Sequence, residues 1–366
     1  MESSNLGQML LVGLPGYELD LETARIFRKI QPGGFILFGR NIRSAAQLRK
    51  LIDDLRDLST TEPIITIDQE GGRVSRLKLI GNEPPNAQQI REKGVPELAT
   101  WHGRITGELL RLFGFNLDLC PVLDISFDDE ADNSLRGRCY GTSVEQVTEF
   151  AGAFHSALLG TGVMSCGKHF PGYAAAGLDP HHDLPRIDRT RQQLDETELA
   201  IFKTFVPSLS SMMICHGWYP ALDAEKTPAS LSKSIVTDLL VREMGFEGLI
   251  MTDDLDMGAI TNELQFGNVI ERAIGAGNHL AMICHRTSLV EDAVTALQRV
   301  PNPALDSALA AVNRFKQTFV APELFSEERL RILNQEIWEL RVATLGLERA
   351  ALRSLDDGKR SPVEIY

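Results

Sequence analysis

A chain of 366 residues with 43% hydrophobic and 24% charged residues has the composition of a globular enzyme and can bury a core of ordinary size. Its net charge of -13 excludes nucleic acid as a partner, because binding to the phosphate backbone requires clustered lysine and arginine. The same charge, together with the lack of an apolar run of about 20 residues, predicts no membrane association.

The cysteines and the N-terminal sequence favour a cytoplasmic protein. The five cysteines are widely spaced, and no zinc-type pattern of Cys and His connects them. Cys166, Cys215 and Cys284 each end a short apolar run, so we expect buried free thiols. The first residues lack the basic segment of a secretory signal. These features predict a protein of the reducing cytoplasm.

Short apolar runs alternate with amphipathic stretches along most of the chain. The amphipathic stretches include residues 45–58, 144–159 and 233–244, and their spacing predicts helices. The apolar runs predict buried parallel strands at residues 8–14, 34–38, 64–68, 115–119, 162–166, 212–215, 249–252 and 280–284. Eight strand–helix repeats predict an α/β fold, a closed (β/α)8 TIM barrel. A doubly wound open sheet is the weaker alternative, because no GxGxxG opens a helix after an early strand.

The pattern changes after about residue 320. Residues 326–355 are charged and helix-forming, and the remaining tail is polar. We therefore expect one barrel domain over residues 1–320 and a C-terminal helical extension with a polar tail over residues 321–366.

Ionisable residues collect at the C-terminal ends of the predicted strands, where TIM-barrel enzymes carry their active sites. These residues are Asp68, Lys168, His169, His216, Asp253 and Asp254.

The segment DQEGGRVSR, which begins at Asp68, is the first candidate for binding. An aspartate at a strand end can accept hydrogen bonds from two adjacent sugar hydroxyls, and the glycines allow the backbone to approach a ligand. An aspartate that caps the next helix is an equally good interpretation of this segment alone.

A loop rich in Gly, Ala and Pro follows the fifth predicted strand and carries Asp179 two residues before His181. A carboxylate near an imidazole fixes its tautomer and raises its pKa, which suits general acid and base catalysis near neutral pH. The alternatives are a surface loop and a metal site built from His169, His181, His182 and His216. The metal site is disfavoured because the usual ligand spacing is missing and a lysine precedes the first of these histidines.

The segment LIMTDDLDM places a carboxylate cluster directly after the seventh predicted strand. A carboxylate at a strand end can attack an anomeric carbon and form the covalent intermediate of a retaining glycosidase. Capping of the next helix by Asp253 or Asp254 is the alternative. We expect Asp253 to face the barrel axis and Asp254 to have a structural role.

Several motifs together resemble one family. KHFPG, the following D-x-H-x-x-LP and the segment PASLSKSIVTDLLVREMGFEGLIMTDDLDM resemble the bacterial β-N-acetylglucosaminidases of glycoside hydrolase family 3, and the resemblance covers most of residues 7–285. It implies that Asp253 is the nucleophile and that His181, paired with Asp179, is the acid/base. It also implies that no metal or organic cofactor is needed. The candidate substrate-binding residues are Asp68, Arg76, Arg138, Lys168 and His169 from the family motifs, His216 at the end of the sixth strand, and Met257 beside the nucleophile segment.

The sequence departs from the family pattern at three places. Residues 173–176 read Tyr-Ala-Ala-Ala where a histidine and polar residues are usual, Pro180 lies between the two dyad residues, and His279 replaces an aspartate. The expected activity is that of a retaining exo-enzyme that releases terminal β-linked N-acetylglucosamine from peptidoglycan fragments, with a small carbohydrate as substrate. A family 3 β-glucosidase, a β-glycoside phosphorylase and a non-catalytic sugar-binding barrel are the alternatives.

Overall fold

The computed structural model of the protein describes residues 2–130, 133–173, 184–257, 260 and 265–354. Its centre is a closed barrel of eight parallel strands, in which the first strand pairs with both the second and the last. This closure confirms the predicted (β/α)8 barrel and excludes the open sheet. The strands are β1 (Leu10–Gly13), β2 (Gly34–Leu37), β3 (Ile64–Ile67), β4 (Leu117–Asp118), β5 (Met164–Phe170), β6 (Ser211–Ile214), β7 (Leu249–Asp254) and β8 (Leu280–Ile283).

All eight predicted strands overlap observed ones, but β5 and β7 are longer than predicted. β5 continues through Lys168 and His169, and β7 includes Asp253 and Asp254. The prediction ended these two strands at Cys166 and Thr252. The ladder continues past that point because these polar side chains find buried partners at the barrel mouth, so their burial does not leave them unpaired.

The outer layer is helical, and polar caps define many of the helix ends. Ser44 accepts a hydrogen bond from the N–H of Gln47, and glycines such as Gly114 and Gly277 end helices in the left-handed conformation. The predicted helix over residues 233–244 is a π-helix, Ser234–Glu243. The α-helices are Ser3–Gly7, Leu21–Ile30, Ala45–Leu58, Ala87–Lys93, Pro96–Phe113, Val144–Leu159, Arg191–Glu196, Glu198–Phe205, Phe266–Ala276, Val290–Leu297, Asn302–Lys316, Glu327–Leu345 and Leu347–Ala350.

The barrel interior is a packed core and is closed at its N-terminal end. Inward side chains form a cluster of their own, to which Val312 and Phe315 of the helix Asn302–Lys316 contribute. Lys316 of that helix donates to Gln8, just ahead of β1. Among the described residues, the inward polar side chains that a ligand can reach therefore lie at the C-terminal end of the barrel.

The helix Glu327–Leu345 packs against the helix Pro96–Phe113 on the outside of the barrel. It is anchored by a buried ion pair in which Arg341 Nη1 lies 3.1 Å from Glu83 Oε1 and donates to the Glu83 carbonyl oxygen at 3.0 Å. The region after residue 320 is thus tied to the segment that follows β3. None of the helices in the described ranges has both the length and the apolar character needed to cross a bilayer.

Candidate active site

A cavity opens at the C-terminal end of the barrel and contains about 760 Å³ of empty space, counted out to its open mouth. Eight predicted site residues lie on its wall: Asp68, Arg76, Arg138, Lys168, His169, His216, Asp253 and Met257. The sequence therefore identified one continuous surface from segments that lie far apart along the chain. Apolar residues, among them Ile36, Leu119, Met213 and Met282, form the floor beneath these polar groups.

The alternation of side chains along a strand explains why these residues point into the cavity. Cys166 and Met251 belong to the interior cluster of the barrel. Lys168 lies two positions after Cys166, and Asp253 lies two positions after Met251. Residues two apart in a strand share a face, so the ionisable pair continues the inward row of β5 and β7 to the barrel mouth.

Five charged side chains form a buried network on one wall. Lys168 Nζ lies 2.8 Å from Asp68 Oδ1 and 2.6 Å from Glu70 Oε1. Arg138 binds Glu70 with two hydrogen bonds of 2.8 Å, from Nε and from Nη2. Arg76 Nη2 approaches Asp68 Oδ2 at 3.4 Å. Three cations thus face two carboxylates, and every charge has an opposite partner, as burial of charges requires.

The pKa values of these groups follow from the balance between burial and charge. Burial opposes ionisation of Glu70, but Arg138 and Lys168 outweigh burial and hold the pKa of its carboxyl well below the usual range. The pKa of Asp68 is lowered in the same way, against burial, by Lys168 and Arg76. Near neutral pH both carboxyls are therefore ionised beside fixed cations. Asp68 and the three cations line the cavity and can bind sugar hydroxyls.

Asp124, which is fully buried, fixes His169 and the beginning of the next loop. Its Oδ2 atom lies 2.6 Å from His169 Nδ1 and accepts the backbone N–H of His169 at 3.1 Å. Its Oδ1 atom accepts the N–H of Tyr173 at 2.6 Å. Since the carboxylate accepts Nδ1–H, the ring presents Nε2 toward the cavity side, and its orientation is set. Tyr173 lines the cavity as well.

The three aspartates after Thr252 have different surroundings. Asp253 lines the cavity, and its Oδ1 accepts the N–H of Asp254 at 2.8 Å. Asp254 Oδ1 accepts the N–H groups of Asp256 and Cys284 at 3.0 and 3.1 Å, which joins the end of β7 to the end of β8. Burial, with a further contribution from Asp256, raises the pKa of Asp254 to about 8. The expected structural role of Asp254 agrees with these contacts.

His216 connects β6 to the aspartate segment. Its Nδ1 lies 2.8 Å from Ser230 Oγ, and its Nε2 lies 2.9 Å from the carbonyl oxygen of Asp254. The carbonyl can only accept, so Nε2 carries the proton and Nδ1 accepts from the serine. This arrangement holds the ring in one orientation at the cavity wall.

Asp254, Cys284 and His285 bring three potential metal ligands within 4.8 Å of one another. Arg40 Nη1 lies 2.9 Å from His285 Nδ1 and can only donate, so Nε2 of the neutral ring carries the proton. A metal ion at this corner would need the lone pair of that nitrogen and would lie close to a guanidinium. Arg40 therefore disfavours a cation here.

The chain matches the family model "Glycosyl hydrolase family 3 N terminal domain" over residues 3–315. It belongs to glycosyl hydrolase family 3. It is accordingly a glycoside hydrolase, and the match covers all eight strands of the barrel.

Curated relatives and solved structures agree with this assignment. The chain is 34% identical over 327 residues to a protein named Beta-hexosaminidase from Vibrio cholerae serotype O1, covering 87% of this chain and 94% of the relative. It is 32% identical over 308 residues to the Beta-hexosaminidase of Chromobacterium violaceum, covering 82% and 85% of the two chains. A family 3 beta-N-acetylglucosaminidase from Paenibacillus sp. str. FPU-7 superposes with a TM-score of 0.86 at 29% identity, covering 94% of this chain and 69% of that chain. The Beta-N-acetylhexosaminidase of Beutenbergia cavernae gives a TM-score of 0.79 at 25% identity, covering 86% and 98%.

Two predicted catalytic residues of this family 3 enzyme, Asp179 and His181, lie outside the described residues, as does His182. The chain leaves the described part after Tyr173 and returns at Leu184, and both of these residues are buried. Their assignment as an acid/base dyad stays a prediction.

Other features singled out in the sequence have structural explanations. All five cysteines are buried free thiols, as expected. His279 accepts the N–H of Ile250 at its Nδ1, 3.0 Å away, where β7 and β8 begin, so it serves the barrel and not the mouth. Gly71 and Gly72 form a turn, and a Cβ at Gly71 would lie 2.2 Å from the Pro85 carbonyl oxygen. The turn, not a ligand, accounts for the first of these glycines.

Sequence reasoning missed Glu70, Asp124 and His285 as residues of the site. Glu70 follows Asp68 by two positions in an extended segment, and this spacing could have identified it. Asp124 lies 45 residues from His169, and no local pattern connects them. His285 directly follows the eighth predicted strand, so the rule that identified His216 could also have identified it.

Proposed function

We propose that this glycoside hydrolase is a retaining exo-β-N-acetylglucosaminidase that removes a terminal β-linked N-acetylglucosamine by double displacement. The observation that carries the proposal is the cavity, which brings the carboxylate of Asp253 and the Asp68–Lys168–Arg138 wall together in a family 3 barrel. The Beta-hexosaminidase relatives and the beta-N-acetylglucosaminidase neighbour support N-acetylglucosamine as the sugar.

Asp253 is the better nucleophile of the two adjacent aspartates. A nucleophilic carboxylate must be ionised, and burial raises the pKa of Asp254 to about 8, which disfavours its ionised form. Asp254 also uses its Oδ1 to accept two backbone N–H groups. In the proposed first step Asp253 forms an ester bond to the anomeric carbon, and the bond from that carbon to the leaving oxygen breaks.

The charged wall supports recognition of a single sugar unit. Each hydroxyl of a pyranose can donate to a carboxylate and accept from an ammonium or guanidinium group, and Asp68, Lys168, Arg76 and Arg138 offer both kinds of partner on the cavity wall. The packed barrel core lies beneath this wall, so the cavity has a closed end. A closed end suits removal of a terminal residue.

We propose His181, paired with Asp179, as the group that protonates the leaving oxygen and then activates water. The support is the D-x-H spacing of the family motif together with the described positions on either side, since Tyr173 lines the cavity and Leu184 is buried. A carboxylate beside the imidazole favours the imidazolium that the first step needs.

The biological setting belongs to the same proposal. We propose peptidoglycan fragments as the substrate, the cytoplasm as the location, and a division into a barrel over residues 1–320 and an extension over residues 321–366. The sequence resemblance supports peptidoglycan fragments as the substrate. The five buried free cysteines support a reducing compartment, and the change in pattern near residue 320 supports the division of the chain. No cofactor takes part in the proposed reaction.

The test is hydrolysis of aryl β-glycosides that differ only in the sugar: N-acetylglucosaminide, glucoside and xyloside. We expect the N-acetylglucosaminide to have the highest kcat/KM and the first-formed product to be the β-anomer by early proton NMR. The assay is run with and without inorganic phosphate, since a phosphorylase would release the sugar 1-phosphate. A preference for glucoside, a phosphate-dependent product or an α-anomer would each overturn part of the proposal.

A further inference from the structure

One carboxylate holds both the ring and the backbone of His169. Asp124 Oδ2 lies 2.6 Å from His169 Nδ1 and accepts the backbone N–H of the same residue at 3.1 Å. Asp124 Oδ1 accepts the N–H of Tyr173, whose ring packs edge-on against the imidazole with the ring centroids 6.5 Å apart. The imidazole therefore turns only by breaking a hydrogen bond to a side chain that is itself fully buried.

Asp124 differs in its partners from the carboxylates of the charged wall. Among the described residues it pairs with His169 and forms no ion pair with a lysine or an arginine. Burial of a carboxylate is costly unless donors satisfy its oxygens, and here three N–H groups do so. Two of the three donors belong to His169. The contacts of Asp124 thus serve the orientation of one side chain and not the balance of charge on the wall.

His169 keeps one ring nitrogen for a ligand. Its side chain is 10% exposed and lines the cavity. Within the described part of the chain, Nδ1 has its partner in Asp124, and no hydrogen bond reaches Nε2. His216, by contrast, engages both ring nitrogens, one with Ser230 Oγ and one with the carbonyl oxygen of Asp254. The cavity wall therefore presents His169 Nε2 in a fixed direction.

We propose that Asp124 is a positioning residue for sugar binding: it accepts Nδ1–H of His169 and so keeps the lone pair of the neutral ring on Nε2, where it accepts the proton of one sugar hydroxyl. The inference rests on the proposed function, in which one N-acetylglucosamine unit occupies this cavity. The hydrogen bond made by one ring nitrogen of a histidine determines which nitrogen carries the proton, so the carboxylate selects the tautomer. Lys168, the preceding residue of β5, also lines the cavity and can only donate. Two adjacent residues thus offer an acceptor and a donor to one sugar.

The first test is a double-mutant cycle in which 4-nitrophenyl β-N-acetylglucosaminide is hydrolysed by the wild type, Asp124→Asn, His169→Ala and the double variant. Asparagine keeps the size of aspartate but has one acceptor oxygen, and its NH₂ group allows the imidazole to take the other tautomer. We expect Asp124→Asn to lower kcat/KM roughly tenfold, and to have no further effect where the His169 ring is already missing. No loss in Asp124→Asn, or the same loss in both backgrounds, overturns the positioning role.

The 3-, 4- and 6-deoxy forms of the same substrate give a second readout that partial unfolding does not change. The penalty for a missing hydroxyl is the ratio of two kcat/KM values measured on one preparation, so the active fraction cancels. One penalty should be smaller in Asp124→Asn and in His169→Ala than in the wild type, and the other two should be the same in all three proteins. If His169→Ala keeps all three wild-type penalties, no hydroxyl binds His169 and the inference fails, while the hydrolase activity stands. The proposed function fails by a different result, a wild-type preference for the glucoside.

Asp118→Asn is the matched control for the penalties. Asp118 is also fully buried, at the end of β4, and its Oδ1 accepts the N–H of Gln69 at 3.1 Å. Its Oδ2 has no hydrogen-bond partner within the described ranges, so an amide can keep the contact that the carboxylate makes. All three penalties in Asp118→Asn should equal those of the wild type. A changed penalty here would mean that any buried amide near the wall alters sugar binding, and the inference would fall.

Nitrogen NMR of the histidine-labelled wild type tests the tautomer without depending on the folding of Asp124→Asn. The ring signal that disappears in His169→Ala should show, at neutral pH, a proton on Nδ1 and a lone pair on Nε2. A proton on Nε2 of this ring would overturn the proposal, because the nitrogen that faces the cavity could then only donate.

Discussion

Replacement of Glu70 by glutamine tests the charged wall of the cavity most directly. The carboxylate accepts three hydrogen bonds from cations, one from Lys168 at 2.6 Å and two from Arg138 at 2.8 Å. Glutamine keeps the shape but has one acceptor oxygen, and its NH₂ group would face an N–H donor of the arginine. Three cations would then share the single carboxylate of Asp68. Breaking a buried ion network in this way costs about 3–5 kcal/mol in the free energy of unfolding.

Glu70→Gln should also weaken substrate binding. Lys168 and Arg138 line the cavity, and in the variant neither is held in place by a full negative charge. Loss of one well-placed hydrogen bond to a charged group costs about 1.5–3 kcal/mol, which corresponds to a rise of roughly tenfold or more in KM. The control is Glu83→Gln, which breaks the buried ion pair with Arg341 on the outside of the barrel. This control should lower the stability and leave KM close to the wild-type value.

The pH dependence of stability gives a second check on Glu70. Its pKa is lower in the folded protein than its ordinary value of 4.5, because Arg138 and Lys168 stabilise the anion. A lowered pKa stabilises the fold above the pKa of the unfolded chain, and this contribution is lost as the pH falls toward the folded value. Denaturation measured at several pH values should therefore show the deficit of Glu70→Gln shrinking below about pH 4.5. A deficit that is constant down to pH 3, or a KM equal to that of the wild type, would refute the reasoning.

The remaining predictions concern the reacting groups. Asp253→Ala should lower turnover by several orders of magnitude without unfolding the protein. A fluorinated substrate analogue should label Asp253 in the wild type. If mass spectrometry finds the label on Asp254 or Asp256, the assignment is wrong. Asp254→Asn should retain far more activity near neutral pH than Asp253→Asn, because burial raises the pKa of Asp254 and an amide resembles a protonated carboxyl. Equal losses in the two variants would argue against this difference between the two aspartates. His181→Ala should accumulate the glycosyl-enzyme on activated aryl substrates, and azide should restore turnover; the same rescue in His182→Ala instead would move the dyad by one residue.

The fold could be predicted from the sequence because eight apolar runs recur at regular intervals between amphipathic helices, and few architectures bury eight parallel strands. The ends of β5 and β7 could not be predicted in the same way. An unpaired lysine would not be buried, so the sequence alone predicts that β5 ends before Lys168. The structure buries Lys168 within the strand because Asp68 and Glu70 pair with it. The pairing spans about a hundred residues, and only the closed barrel brings the partners together.

Some residues of the candidate site can be identified from a local sequence pattern, and others only from contacts between distant parts of the chain. Asp68, Lys168, His169 and Asp253 could be found from the sequence, because each lies at the end of an apolar run. Asp124 could not be found, because its function depends on three donors that belong to residues 169 and 173. A buried aspartate within an irregular segment has no periodic signal, and its importance appears only when its hydrogen bonds are traced.

The aspartates around the proposed nucleophile show how one negative charge can be directed at the anomeric carbon. Three carboxyl groups lie within four residues, and three anions so close together would repel one another. The charge of Asp256 is balanced by Arg286, whose Nε lies 2.7 Å away, and its other oxygen accepts the N–H of His285 at 2.8 Å. Burial raises the pKa of Asp254 to about 8, which disfavours its ionised form and so reduces this repulsion. In the proposed mechanism Asp253 is the carboxylate that attacks, and its neighbours assist by reducing the repulsion around it, Asp256 through its ion pair with Arg286 and Asp254 through its raised pKa.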